Sequence, residues 1–475
     1  MTTPSACDTV IGTKAQGDAL PQHPTAVIFA SVLGSSLAFI DGSVVNVALP
    51  TIGRDLQAGP AALAWTINAY LLPLGAMILL GGAAGDHFGR RRLFVLGIAV
   101  FLFASLLCSF APSLGGLLAG RALQGIGAAI LMPNSLALLG SAFSGEARGR
   151  AIGTWAAAGA IAGAVGPLVG GAIVDLAGWR PIFFVNLPIG AGAIWLALRY
   201  TRESRDRREG QSLDWGGGVF ATIGLGLLVW ALTAAAEPAT PKAALIAAGL
   251  SGLSSMVVFL WIESRRGDSA LMPFGLFATS TFAGLSLLTL LLYAALGGLI
   301  VLLPYLLIRL GHYSAAQAGA AMLPIPLLIG FGSRWMGRVA ARVGGRVLLG
   351  SGSVIVAVGL ALYARIGGNA IDYLRDILPA TLVVAIGMAI CVAPLTTAVI
   401  ASVDRDHVGA ASGFNSALAR IGGLVMTALL GFVFAASDET GAFVAIVRIA
   451  AFVGAGCAAA ASLCAWLLIR DEPRR

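Results

Sequence analysis

The sequence predicts an all-α polytopic membrane protein with fourteen spanning helices, arranged as two six-helix halves with two further helices inserted between them. Three observations carry this. Hydrophobic residues make up 58% of the chain and charged residues only 11%, against roughly 25% charged in soluble domains, and the mean hydropathy is +0.90. Apolar runs long enough to cross about 30 Å of hydrocarbon, which takes about 20 helical residues, recur fourteen times along the chain. The basic residues crowd into alternate loops between those runs, as the positive-inside rule requires.

The first six runs lie near 26–49, 61–84, 93–112, 114–138, 150–174 and 181–200; two more lie near 215–235 and 242–262. The last six lie near 281–306, 314–335, 347–366, 375–400, 408–434 and 443–469. The organisation that follows is a tail (1–25), a six-helix half (26–200), a linker (201–214) and an inserted pair (215–262). A second linker (263–280), the other half (281–469) and a closing tail (470–475) complete it. No basic stretch precedes the first run, which is too long for a signal-peptide core and is therefore read as a retained helix. An even number of spans puts both termini on one side. Loops on that side hold Lys14, Arg90 to Arg92, Arg148, Arg150, Arg199, Arg202, Arg205, Arg207, Arg208, Arg265, Arg266, Arg334, Arg338, Arg342, Arg346, Arg405, Arg470, Arg474 and Arg475. Opposite lie Arg54, Arg180, Lys242, Arg309, Arg365 and Arg375, and Arg121, Arg420 and Arg448 fall within spans. Both ends are expected to be cytoplasmic.

The same scatter argues that the net charge of +8 reflects topology and not a nucleic-acid partner, because no basic domain stands apart. The charged linker Arg199–Asp214 reads as a solvated segment with no site. Five cysteines, Cys7, Cys108, Cys391, Cys457 and Cys464, show no metal-ligand spacing and no disulfide framework. The 63 glycines suit helices that approach closely in lipid.

A repeat supports the division into halves. Gly82-Ala83-Ala84-Gly85-Asp86-His87-Phe88-Gly89-Arg90-Arg91-Arg92 forms a short polar hinge after the second run. Gly337-Arg338-Val339-Ala340-Ala341-Arg342-Val343-Gly344-Gly345-Arg346 repeats it after the second run of the other half, with Ala341 in place of Asp86. Duplicated halves around a central pathway are a common transporter plan, the substrate site lying near the midplane between them.

Ionisable residues inside spans are functional candidates because lipid makes them costly. Asp41 is the only carboxylate within the runs, about eight residues from the outer end of the first, and Arg121 lies about eight residues into the fourth. At 1.5 Å per residue both are roughly 12 Å deep and can face each other. Burial disfavours a charged carboxylate and a nearby guanidinium favours it, so relative motion of the two would switch a proton on and off. A static buried ion pair that holds helix packing is the alternative. In the fifth run Gly159, Gly163, Pro167 and Gly171 recur every four residues as a smooth stripe for close approach, and Pro167 permits a kink. Arg420 sits near the midplane of the thirteenth run with no carboxylate in a span of its own half, placed to hold an anionic or polar substrate or to bond carbonyls and water. Arg448 is near enough to the outer end to snorkel. Asn68, with Trp65 and Tyr70, lies where it could line a site, although interfacial anchoring suits the two aromatics. His23, His87, His312 and His407 stand apart in tails or loops, and no G-x-x-x-x-G-K-[ST] string is present, so neither enzymatic chemistry nor ATP drive is expected.

The hinge pattern G-x-x-x-D-x-x-G-R-R resembles the signature loop of major facilitator transporters, with His87 where the family usually has a basic residue. The string G-x-x-x-G-x-x-G-P-x-x-G-G from Gly159 to Gly171, including Gly163, Gly166, Pro167 and Gly170, resembles the antiporter motif of proton-linked exporters in that superfamily. D-x-x-V-V-N-V-A-L-P at Asp41 to Pro50, W-x-x-x-A-Y at Trp65 to Tyr70, R-x-x-Q-G at Arg121 to Gly125, Trp179 to Gly190 and the surroundings of Arg420 extend the likeness. From about residue 25 to 470 the chain resembles the fourteen-helix drug:proton antiporters, the multidrug and antibiotic-resistance exporters. That resemblance implies the major facilitator fold and proton-coupled export of small amphipathic compounds by alternating access. It implies a cytoplasmic gate at Gly82, Asp86, Gly89, Arg90 and Arg91, proton coupling through Asp41 and Arg121, and a substrate path past Asn46, Asn68, Tyr70, Gln124 and Arg420. It also implies a bacterial inner membrane location. The expected partners are a small molecule, protons and the bilayer; no cofactor is expected, and a monomer is. A proton-linked nutrient symporter and a lipid-handling transporter of the same fold share these features and stay open. Absence of further membrane acids in the second half disfavours dicationic substrates.

Overall fold

The computed structural model describes residues 23–205, 214–237, 239–267, 270, 272, 274–367, 371–404, 408–435 and 440–470. Most of both tails and part of both linkers, with Cys7, Lys14, Arg207, Arg208, Arg405, His407, Arg474 and Arg475, lie outside the described residues.

Sixteen helices are described: α1 (Pro24–Asp55), α2 (Pro60–Phe88), α3 (Arg90–Ser109), α4 (Leu114–Ala142), α5 (Gly145–Ala177), α6 (Pro181–Phe184), α7 (Asn186–Tyr200) and α8 (Trp215–Ala234). They continue as α9 (Lys242–Arg266), α10 (Ser280–Arg309), α11 (Ala315–Ala321), α12 (Pro324–Val343), α13 (Gly345–Leu362), α14 (Leu378–Ala401), α15 (Val408–Ala435) and α16 (Thr440–Leu468). Helices α6 and α7 run on as one span, Pro181–Tyr200, and α11 with the start of α12 as another, Ala315–Ser333, so that 14 helices are long and apolar enough to cross a membrane. Helix starts follow local chemistry. Proline opens α1, α2, α6 and α12, where its missing N–H is not needed. Ser113 caps α4 through the Gly116 amide, and Ser314 with Gln317 forms a full capping box on α11.

Three expectations change. The first helix does not end near residue 49. It continues through Pro50 to Asp55, because a proline removes only one hydrogen bond and its own ring is accommodated one turn from the end. The polar hinge after the second run is not a loop of eleven residues. Gly82 to Phe88 are the last turns of α2, α3 begins at Arg90, and Gly89 alone, at φ 117°, turns the chain. Nor is Asp41 the only carboxylate within the spans: Asp376 stands at the start of the run near 375–400, and the other helices outrun their apolar runs to carry Asp55, Asp86, Glu146, Asp175 and Glu263 toward their ends.

Packing places α1 against α5 and α7, and α4 against α2 and α3; in the second half α13 packs on α14 and α16, and α10 on α15 and α16. The halves meet where α2 lies on α15, α5 on α11, and α1 on α10. Inserted helix α8 packs on α9 and covers the α2–α15 seam, whereas α9 presents Ile246, Leu250, Leu253 and Val257 outward. Exposed aliphatic rows of that kind suit lipid contact. The repeat holds in three dimensions as well: Gly344 separates α12 from α13 at φ 103°, as Gly89 separates α2 from α3. Both positions require a backbone that side chains resist.

Candidate functional site

Asp41 lies in mid-helix, about four turns from the end of α1. Its carboxylate accepts hydrogen bonds from Arg121 Nη1 of α4, from Gln124 Nε2 at 3.1 Å and from Asn186 Nδ2 of α7 at 3.4 Å. Ser105 of α3 ties the amides together, its hydroxyl oxygen accepting from Gln124 at 2.9 Å and Asn186 at 3.2 Å. Arg121 is itself over-determined. Its Nη1 also donates to Gln124 Oε1 at 2.9 Å, its Nε donates to the Thr66 carbonyl of α2 at 3.1 Å, and its guanidinium lies 4.4 Å from the Tyr70 ring centre. The Cys108 thiol donates weakly to Gln124 Oε1 at 3.4 Å. Asp41, Arg121, Gln124, Asn186, Ser105 and Tyr70 are each no more than 1% exposed. Five helices thus converge on one ion pair sealed within the first half.

The pairing of Asp41 with Arg121 was legible in the sequence; its enclosure was not. Asn186 stands in the Trp179–Gly190 string but drew no role, and Ser105 and Thr66 gave no signal among apolar neighbours. Tyr70 is not an interfacial anchor. It is buried, with its hydroxyl donating to the Ala38 carbonyl at 3.2 Å, because α2 turns that face toward α1 and α4. Gln124 and Tyr70, both expected along the substrate path, take part in the acid's enclosure. Asn46 is buried on α1 with its Nδ2 3.5 Å from the Gly42 carbonyl, and Asn68 is fully buried on α2 with neither amide atom bonded among the described residues.

At the arginine-rich end Asp86 accepts from Arg90 Nε at 2.8 Å, the contact expected within the gate. Arg91 and Arg92 turn elsewhere. Their backbone amides donate to the Glu203 carboxylate at 3.0 and 3.2 Å, and their side-chain Nε atoms lie 3.9 and 3.8 Å from it. Arg91 Nη1 also reaches the Thr201 carbonyl at 3.0 Å, and the Arg90 amide the Ser204 carbonyl at 3.0 Å. The first linker therefore has a site after all: Glu203 satisfies the free amides that open α3 and favours that helix's positive end. A Cβ on Gly89 would lie 2.8 Å from the Glu203 carboxyl group. Gly82 packs on Pro133 of α4. A second buried acid pair lies nearby on the inserted helices, where Asp214 caps α8 through the Gly217 amide at 2.8 Å and contacts Arg266 at 3.2 Å, while Glu263 accepts from the Met272 amide at 2.7 Å.

The glycine string of α5 serves two faces instead of one stripe. Added Cβ atoms at Gly159, Gly166 and Gly170 would strike Phe39, Ser43 and Val44 of α1, whereas at Gly171 one would strike the Ala315 carbonyl of α11. Gly319 of α11 in turn sits on the Pro167 carbonyl. Farther along, a Cβ at Gly330 of α12 would find only Ala160, 4.0 Å away, and one at Gly163 or Gly153 nothing within 4 Å. The seam between α5 and α11–α12 is thus shut at the arginine-poor end and loosens toward the other. Asp175 fastens the shut end, its carboxylate accepting from the Ala315 and Ala316 amides at 3.0 and 2.9 Å.

Arg420 lies where α15 crosses α2, its Cβ 3.6 Å from the space beside Gly75, with Tyr70 of α2 and Tyr293 of α10 as its electrostatic neighbours. Its Nε is buried and unbonded. Arg448 is exposed near the start of α16, and its guanidinium donates to the Ile366 carbonyl, just past the end of α13, at 3.1 and 3.3 Å. An apolar cavity between α10, α13, α15 and α16, lined by Leu299, Leu360, Met426 and Val447, is remote from the ion pair. Among the described residues no cluster of three or more His, Cys, Asp or Glu side chains is placed to hold a metal.

Comparison with known proteins agrees with this architecture. The Major Facilitator Superfamily profile matches residues 31–427. The puromycin resistance protein pur8 of Streptomyces alboniger is 36% identical over 425 residues, covering 88% of this chain and 82% of the relative. The cephamycin export protein CmcT of Amycolatopsis lactamdurans is 34% identical over 409 residues, covering 86% and 84%. A solved POT family transporter, in complex with a thioalcohol-conjugated peptide, superposes with a TM-score of 0.69 at 14% identity, over 92% of this chain and 94% of that one, which shows the shared fold. A profile matched over most of the chain, relatives above 30% identity and fourteen spanning helices make this multi-pass membrane protein a member of the Major Facilitator Superfamily.

Proposed function

We propose that this transporter is a proton-driven antiporter that exports small amphipathic compounds by alternating access. The observation that carries the reading is the sealed Asp41–Arg121 pair, because an ion pair removed from water is costly to maintain and is replaced by apolar packing where stability alone is at stake. Resistance and export in the names of its relatives support the direction of transport.

In this reading Asp41 carries the proton. When a proton reaches the carboxylate, its bond to Arg121 weakens, while Gln124 Oε1, the Thr66 carbonyl and the Tyr70 ring still hold the guanidinium. Arg121 therefore changes partners without being stranded. The pull between α1 and α4 is altered, and α1 and its neighbour α5 contact α10 and α11 of the other half, so the protonation state biases the seam between the halves. With Asp175 fastened to α11, the outer side is closed and the cytoplasmic side is the one that loosens; both termini face the cytoplasm. The hinge at Asp86, Arg90 and Glu203 stiffens the cytoplasmic end of the first half, so that it rocks as a unit.

Proton release from acidified inverted vesicles tests this. Adding dyes, biocides or antibiotics should discharge the lumen in wild type and not in Asp41→Asn at equal protein level. Unchanged release in the variant would reduce Asp41 to a packing role, and no release with any compound would favour a symporter or a lipid-handling transporter.

A further inference from the structure

The seam between the halves holds an arginine whose Nε has no hydrogen-bond partner among the described residues. Arg420 projects from α15 between α2 and α10, its Nε enclosed and unbonded among the described residues, and the mid-membrane carboxylate, Asp41, is already taken by Arg121. A guanidinium stays protonated at any physiological pH, so its charge persists in a region of low dielectric. Arg448 of α16 shows the alternative: it is exposed and satisfies itself on the Ile366 carbonyl just beyond α13.

Its neighbours point the same way. Tyr70 of α2 and Tyr293 of α10, one from each half, lie near enough to interact with it electrostatically. Tyr70 also carries Arg121 on its ring, so a ligand at Arg420 would be one side chain from the proton site. The Tyr70 hydroxyl is taken by the Ala38 carbonyl, but Tyr293 beside the guanidinium offers a ring face and a hydroxyl donor, a setting for a flat apolar body bearing an anionic acceptor.

We propose that Arg420, with Tyr293, binds the anionic group of the exported compound, and that the substrates are lipophilic aromatic monoanions. The inference rests on the reading of this seam as the substrate route. A cation would meet a positive charge there, and a neutral molecule of the same shape would forgo the charge-assisted bonds.

Three probes sharing one ring system separate the possibilities: 9-anthracenecarboxylate, its methyl ester and 9-(aminomethyl)anthracene. Binding is measured by fluorescence on the purified full-length protein and proton release in reconstituted vesicles, for wild type, Arg420→Lys and Arg420→Met. The carboxylate should bind at least about tenfold more tightly than the ester, as expected of a desolvated charge-assisted bond. Arg420→Met should abolish that preference while leaving ester binding within about threefold, and Arg420→Lys should keep part of it. Equal loss of all three probes in both variants would make Arg420 a packing residue and overturn the proposal, as would wild-type preference for the amine. Carboxylate preference that depends on Arg420 without proton release would uphold the site while removing the antiport reading.

Discussion

The two halves share a skeleton and differ in what they bury. Inside the first, Asp41, Arg121, Gln124, Asn186 and Ser105 form a charged network contributed by four helices. Inside the second, among the described residues, buried contacts join neutral groups: Tyr363 with Thr381 at 2.6 Å, Thr289 to Asn415 at 2.6 Å, and Ser462 to the Gly350 carbonyl at 2.9 Å. Tyr363 also lines the apolar cavity, and Arg420 turns out to the seam instead of inward. Backbone geometry is duplicated, as Gly89 and Gly344 show, while the chemistry is not. One half stores a charge, and the other presents a surface for the first to move against.

The largest contrast should appear on removing one partner from each interior. Arg121→Ala leaves Asp41 buried without its cation and should lower stability by about 3–5 kcal/mol, the range for breaking a buried pair. Thr381→Val removes the hydroxyl that bonds Tyr363 and donates to the Ile377 carbonyl, and should cost about 1–2 kcal/mol. Thermal unfolding of the purified variants measures both, and adding Asp41→Asn to Arg121→Ala should recover part of the loss. If the two single variants melted alike, the charged network would be no more critical than a neutral contact.

Next in size is the hinge. Alanine at Gly89 or Gly344 must hold a positive φ, at about 1–3 kcal/mol. Gly89→Ala should be the worse because its Cβ also meets Glu203 at 2.8 Å. Glu203→Ala in the Gly89→Ala background should return the added part if that contact is the cause, and leave the strain that Gly344→Ala shows alone.

What the sequence made legible follows from where charge stands out. Asp41 and Arg121 were readable because each interrupts an apolar run, and the hinge repeat because glycine and arginine spacing survives duplication. Asn186, Ser105 and Thr66 were not, since small polar residues are common in membrane helices and no amphipathic face shows which side of a uniformly apolar helix turns inward. Glu203 was invisible for the opposite reason: in a linker rich in charge, one carboxylate looks like the rest until the chain brings it to the start of α3. Spacing by four suggested a single glycine stripe on α5, whereas Gly166 and Gly170 follow the α1 face and Gly171 the α11 face, a division that depends on how the helices cross.

Asp175 offers a smaller test at the point where the halves touch. Asp175→Ala removes an acceptor from the Ala315 and Ala316 amides and should shift the equilibrium toward outer opening by about 1–2 kcal/mol, close to a tenfold change in population. Labelling of Ala316→Cys from outside by a membrane-impermeant maleimide should accelerate by about that factor. An unchanged rate would mean that glycine packing at Gly171 and Gly319 alone closes the seam.

The smallest effect is expected where the second hinge replaces charge with a neutral contact. Arg346 donates to the Trp466 carbonyl and lies 5.6 Å from that ring's centre, near the end of α16, where a cation also suits the helix dipole. Its counterpart in the first half is held by an acid, through Glu203. Trp466→Leu keeps the carbonyl and removes only the ring, so it should cost at most about 1 kcal/mol and leave transport unchanged. Glu203→Gln removes the charge that faces the opening amides of α3, and should slow transport and weaken its dependence on ionic strength. If Trp466→Leu slowed transport as much as Glu203→Gln, the hinges would be equal partners, and the division between a charge-bearing half and a passive one would fail at the arginine-rich end.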